Sequence, residues 1–97
     1  MIKKLEALRT ALEGRNQEVM EYQINIDNFV RAIAKIDTEY AEDPSLVPFK
    51  ENLIDLLAAN EAEQLKSIII RDVIAEQVAE LEEACPDKRR FKMFRSR

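Results

Sequence analysis

Residues with the chemical variety to do work cluster at two places in this 97-residue chain. Five carboxylates, Glu61, Glu63, Glu80, Glu82 and Glu83, fall in its second half, and Cys85 follows them. Grouped carboxylates can exchange protons or hold a cation, and a thiolate can act as a nucleophile. Neither chemistry finds its complement here. The sequence contains no histidine, so the usual proton shuttle near neutral pH and the commonest metal ligand are both missing. Carboxylate metal sites in helical bundles place a histidine three residues after a glutamate, and none can do so in this chain. Cys85 sits where a helix is expected to end, and the negative end of the helix dipole disfavours a thiolate. A single cysteine closes no intrachain disulfide, which suits a reducing compartment. One glycine leaves no phosphate-cradling loop. The expectation is a non-enzymatic protein with no catalytic residue, no cofactor and no metal.

The second place is the C-terminal segment, residues 88–97. Lys88, Arg89, Arg90, Lys92, Arg95 and Arg97 supply six cations, interleaved with Phe91, Met93 and Phe94. Residues 1–87 carry all nineteen acids and nine bases, a net charge of −10; residues 88–97 carry +6, which together give the overall −4. Cations beside aromatic rings can grip phosphates while the rings stack on bases. The same residues can dock an acidic protein groove, with Phe91 and Phe94 as anchors. Partner binding is therefore assigned to Lys88, Arg89, Arg90, Phe91, Lys92, Phe94, Arg95 and Arg97, toward a protein or toward nucleic acid. The acidic body could also present carboxylates to a phosphate-binding surface, but its nine bases are scattered among the acids as on an ordinary helical surface.

What positions these residues is read from periodicity. From Met1 to Tyr40, apolar residues recur at alternating steps of four and three: Leu5, Leu8, Leu12, Val19, Tyr22, Ile26, Phe29, Ile33 and Ile36, with Arg15 the one polar member. That is the seam of a helix packed lengthwise on a partner. The phase survives Gly14 and Arg15, so one continuous helix is predicted, the Arg15 stem lying along the seam and its guanidinium reaching water or Glu18. Pro44 and Pro48 make a corner. A second helix then runs, free of proline and glycine, to a stop before Pro86. Asn60 through Glu63 has the spacing of a capping box, yet no breaker precedes it, so this helix too is expected to be continuous. The fold class is all-α: an antiparallel, coiled-coil-like two-helix hairpin, with helices over about 2–42 and 48–84, dimerising into a four-helix arrangement.

The second helix carries two stripes. One runs Phe49, Leu53, Leu57, Asn60, Gln64, Ser67, Arg71, Ile74, Val78, Leu81 and Cys85, and is polar in its middle. The other runs Ile54, Ala58, Ala62, Leu65, Ile69 and Val73. A helix greasy on two sides needs more than one neighbour, and a lone hairpin would leave one of them wet. Ile69 and Val73 are accordingly placed with the seam or dimer contacts. No apolar run approaches the ~20 residues of a membrane span and no signal-peptide core is seen, so a cytoplasmic chain without membrane contact is expected.

The stretch Glu21-Tyr22-Gln23-Ile24-Asn25-Ile26-Asp27-Asn28-Phe29, with Arg31-Ala32-Ile33 after it, resembles small early-region proteins of lambdoid phages and prophages. The resemblance covers about a dozen residues. It implies a helical inhibitor of a host nuclease or defence complex, acting by occlusion, and it transfers no functional residue.

Overall fold

The computed structural model describes residues 2–84, and the segment assigned above to partner binding, 88–97, lies outside them, as does Cys85. Helix α1 spans Ile2–Glu39 and helix α2 spans Val47–Glu83, joined through a single 3-10 turn at Pro44–Leu46. The described chain is thus an all-α antiparallel hairpin. It measures 66 × 27 × 14 Å with a radius of gyration of 21.0 Å, against about 12–13 Å for a compact domain of this length. The shape follows from helix arithmetic: 38 residues at 1.5 Å each make a rod of about 57 Å.

Both helices run unbroken through the positions that invited a break. At Gly14 the backbone stays helical, with no positive φ. Arg15 keeps its place in the seam by sending its guanidinium to Glu18, 3.1 Å away. Asn60 turns its amide back on its own helix, Nδ2 donating to the Leu56 carbonyl at 2.8 Å, instead of opening a new one.

The corner is longer than periodicity suggests, seven residues from 40 to 46 instead of five. α1 stops at Glu39, three residues short of the expected end, and α2 begins one residue early, at Val47. Local turn chemistry takes over between them. The Tyr40 carbonyl accepts from the Asp43 N–H at 3.0 Å, and the Asp43 carboxylate accepts from the Ser45 N–H at 3.0 Å and the Ser45 hydroxyl at 2.6 Å. An Asp side chain that captures the backbone two residues on offers the chain an alternative to another helical turn. Those bonds, the hydroxyl's first and the backbone's second, hold the Asp43 carboxyl below its ordinary pKa. Tyr40 and Phe49, in phase with the two stripes, are left outside the packed region, 46% and 51% exposed.

Between the helices the contact is one side chain deep. Leu5, Ile26, Leu53 and Val78 are the buried apolar residues, and no large side chain among those described is fully enclosed. Leu8, Leu12, Val19, Tyr22, Phe29, Ile33 and Ile36 of α1 face Leu57, Ile74 and Leu81 of α2 from half-buried positions. Since long helices owe most of their stability to packing of a face and little to propensity, this single seam is what holds the hairpin closed.

Candidate interaction surface

Taken residue by residue, α2 has two faces with opposite characters. Its inner face is the stripe with the polar middle. Gln64 reaches across to α1, its Nε2 donating to the Val19 carbonyl at 3.2 Å and to Gln23 Oε1 at 2.9 Å. Ser67, 5% exposed, donates its hydroxyl to Glu18 Oε1 at 2.8 Å, and the same oxygen accepts from Arg15. Asn25 of α1 approaches Asn60 Oδ1 at 3.5 Å. Near the two ends, Arg9 pairs with Glu82 and Lys50 with Asp37. These cross-links descend in order along both helices and fix one antiparallel register. Every buried side-chain polar atom among the described residues has a partner, so the polar middle of the seam is satisfied, which is the condition for its not being costly.

The outer face of α2 is the apolar stripe, and it is bare. Ile54, Leu65, Ile69 and Val73 are 45%, 57%, 55% and 47% exposed, and Ala58 and Ala62 lie between them, exposed as well. At about 100° per residue, this stripe lies roughly half a turn from Gln64 and Ser67. The Ile69 and Val73 placed with the seam or dimer contacts on sequence grounds therefore belong to this outer face. On α1, Met20, Ile24 and Val30 are also exposed, away from the seam. Single exposed apolar side chains are ordinary, but a helix-long row of them marks a binding surface.

Among the described residues, no group of histidine, cysteine or acidic side chains could hold a metal ion. Glu63 is paired with Lys66 at 3.0 Å, and Glu82 with Arg9. At the corner, a cleft of about 100 Å³ is lined by Ile36, Asp37, Tyr40, Leu46 and Lys50, the last already paired with Asp37. No helix among the described residues is long and apolar enough to cross a membrane.

Sequence reasoning found both stripes of α2 but missed the bonds that choose between them. The signal was present in a weak form: Asn60, Gln64, Ser67 and Arg71 continue the heptad phase of Leu53 and Leu57, and polar residues in register with a seam are candidates for cross-helix bonds. Comparison with protein-family models, with curated proteins and with solved structures finds no match for this chain.

Proposed function

We propose that this chain is a non-enzymatic protein-binding module whose working surface is the outer face of α2, extended by the basic, aromatic segment 88–97. One observation carries the reading: Ile54, Leu65, Ile69 and Val73 stand about half exposed in one row on the side of α2 that α1 does not cover. Apolar surface is the main favourable term in protein association, and a rigid helix presents it at little cost in ordering. The +6 segment beyond the hairpin adds electrostatic attraction for an acidic partner. The resemblance at residues 21–33 directs the choice of target to a host nucleic-acid-processing complex of the nuclease or defence type, which the module would occlude. Arg89, Arg90, Phe91 and Phe94 are the anchors assigned in the segment.

The test is affinity capture from lysate with identification by mass spectrometry, run in parallel on three proteins: the full chain, a chain lacking 88–97, and Leu65→Glu/Ile69→Glu. A partner retained in stoichiometric amount by the full chain, weakened by the truncation and lost with the double substitution is the expected result. Equal retention by all three removes this surface from the function. A gel shift with duplex and single-stranded DNA at two salt concentrations addresses the other assignment of the segment. Direct phosphate binding would show affinity falling steeply with salt.

A further inference from the structure

We infer that the basic, aromatic segment 88–97 docks on its own chain, along the outer face of α2 from Glu83 back to Ile69. This rests on the reading of that face as a binding surface and names what holds its C-terminal end in the free chain.

Two adjacent blocks of charge point there. Residues 72–87 contain six acids, Asp72, Glu76, Glu80, Glu82, Glu83 and Asp87, and no base. The ten residues that follow contain six bases and no acid. At about 100° per residue, Asp72, Glu76, Glu80 and Glu83 fall within about 60° of Ile69 around the helix. The bare apolar row therefore runs straight on into carboxylates, all four of them exposed. Asp72 is paired with Arg71 of its own helix at 3.2 Å. Glu76, Glu80 and Glu83 pair with no described cation, while Glu82 turns toward α1 to meet Arg9. The α1 side of the same end offers no rival seat. Lys3 and Lys4 are exposed there, and like charge repels the segment.

Order and reach agree with charge. Pro86 cannot continue α2, and Pro86-Asp87 is a turn-forming pair. A chain that reverses there passes α2 with its cations first and its rings after them. Read back from Ala84, the outer face of α2 offers carboxylates first, then Val73 and Ile69. Extended at about 3.3 Å per residue, Lys88 to Arg90 lie about 3–10 Å back from Asp87, Phe91 about 13 Å and Phe94 about 23 Å. At 1.5 Å per helical residue, Glu80 and Glu76 lie about 6 and 12 Å back from Ala84, Val73 about 16 Å and Ile69 about 22 Å. Cations thus come beside carboxylates and rings beside aliphatic side chains. Lys92, between the rings, falls near Asp72. Arg95 and Arg97 reach the level of Leu65 and Ala62, where Glu61 flanks the stripe on one side and Lys66 on the other.

Tethering keeps the segment at a roughly millimolar effective concentration beside α2, so exposed charge pairs that are individually weak suffice to seat it. In the free chain the seat covers Ile69 and Val73 and leaves Ile54, Ala58, Ala62 and Leu65 open. A partner with an acidic groove competes with the carboxylates of α2 for the segment and, in taking it, uncovers the rest of the row. A partner with an apolar face alone meets only the open half. The seat therefore selects for a partner that offers both.

Paramagnetic relaxation in the full chain tests the seat. In a Cys85→Ser background, Ser96→Cys carries a nitroxide, and amide signals are compared with the label oxidised and reduced. At low salt the greatest loss of intensity should fall on α2 around Leu65, with less at Glu83 and at residues 3–10. Glu76→Lys/Glu80→Lys should move the maximum to the open end of the hairpin, on both helices alike. Salt at about 1 M, where the screening length is about 3 Å, should do the same without any substitution. A maximum at the open end in the parent chain at low salt overturns the inference. So does a pattern that Glu76→Lys/Glu80→Lys leaves unchanged, or signal loss passed from a spin-labelled chain to an isotope-labelled copy mixed with it. The capture experiment keeps the two conclusions apart. A segment that never docks, in a chain whose captured partner is still lost with Leu65→Glu/Ile69→Glu, refutes the seat alone. A docked segment in a chain that captures equally with and without that double substitution refutes the binding reading alone.

Discussion

The two faces of α2 are built from the same 37 residues and solve different problems. The inner face carries Asn60, Gln64, Ser67 and Arg71 at its middle and is half or fully buried; the outer face carries Ile54, Leu65, Ile69 and Val73 and stands in solvent. Hydrophobicity alone would have assigned them the other way round. The difference teaches that a hairpin one side chain thick can be closed by apolar contacts near its ends and a satisfied polar knot between them. Apolar surface is then left in solvent on the opposite side of α2. Polar groups in a seam also select register, because each must find its own partner, whereas an all-apolar seam would tolerate slippage by a heptad.

Breaking the inner face should have the largest effect. Leu53, 6% exposed, is the most buried apolar residue of α2. Leu53→Ala should destabilise the hairpin by about 2–4 kcal/mol, within the range for large-to-small core changes, measured by urea unfolding followed by circular dichroism. A loss under about 1 kcal/mol would mean that the inner seam is not what holds the helices together.

Ser67→Ala probes the polar knot. It removes one of the two donors to Glu18 Oε1 and leaves the other, from Arg15. Because the Glu18 side chain is 45% exposed, water can replace the missing donor, so a cost of about 0.5–1.5 kcal/mol is expected, as for a typical hydrogen bond. A double-mutant cycle with Glu18→Gln should give a coupling of the same sign.

Gly14→Ala sharpens the comparison from outside it. A Cβ at this position meets no atom within 4 Å, and the backbone is already helical. The substitution should raise stability by about 0.4–1 kcal/mol through the unfolded chain and local propensity, without changing partner capture.

The smallest effect expected is at the corner. Asp43 has its carboxyl pKa lowered by the Ser45 hydroxyl and backbone N–H, so the folded form favours the ionised acid. That contribution is fully present above the ordinary aspartate pKa of about 3.9. It is lost as the pH falls through the lower folded value. An NMR titration should place the Asp43 midpoint below the usual range, and Ser45→Ala should move it back up.

How much of this could be read from the sequence differs between the helices. The α1 seam is legible throughout, because nine apolar positions from Leu5 to Ile36 keep one heptad phase and that phase has only one face to turn inward. In α2 both stripes are legible, but their roles are not. The choice depends on Gln64 finding the Val19 carbonyl and Ser67 finding Glu18, contacts across 45 and 49 residues that no local pattern encodes. The corner misleads for the opposite reason. Helical periodicity runs on through Tyr40, yet α1 ends at Glu39, and Asp43 caps the 3-10 turn at Pro44–Leu46 through its bonds to Ser45. The outer stripe itself, by contrast, is entirely a property of the sequence and becomes informative once the structure leaves that face bare.

The central claim is that one face of α2 folds the hairpin while the other binds. Its most direct test is the far-ultraviolet circular dichroism and thermal transition of Leu65→Glu/Ile69→Glu, recorded at low micromolar concentration beside the parent chain and paired with affinity capture from lysate. The account predicts unchanged helical content at low concentration, with the captured partner lost. A double variant that has lost its helices at low concentration would contradict it, because the outer face would then be part of what folds the chain.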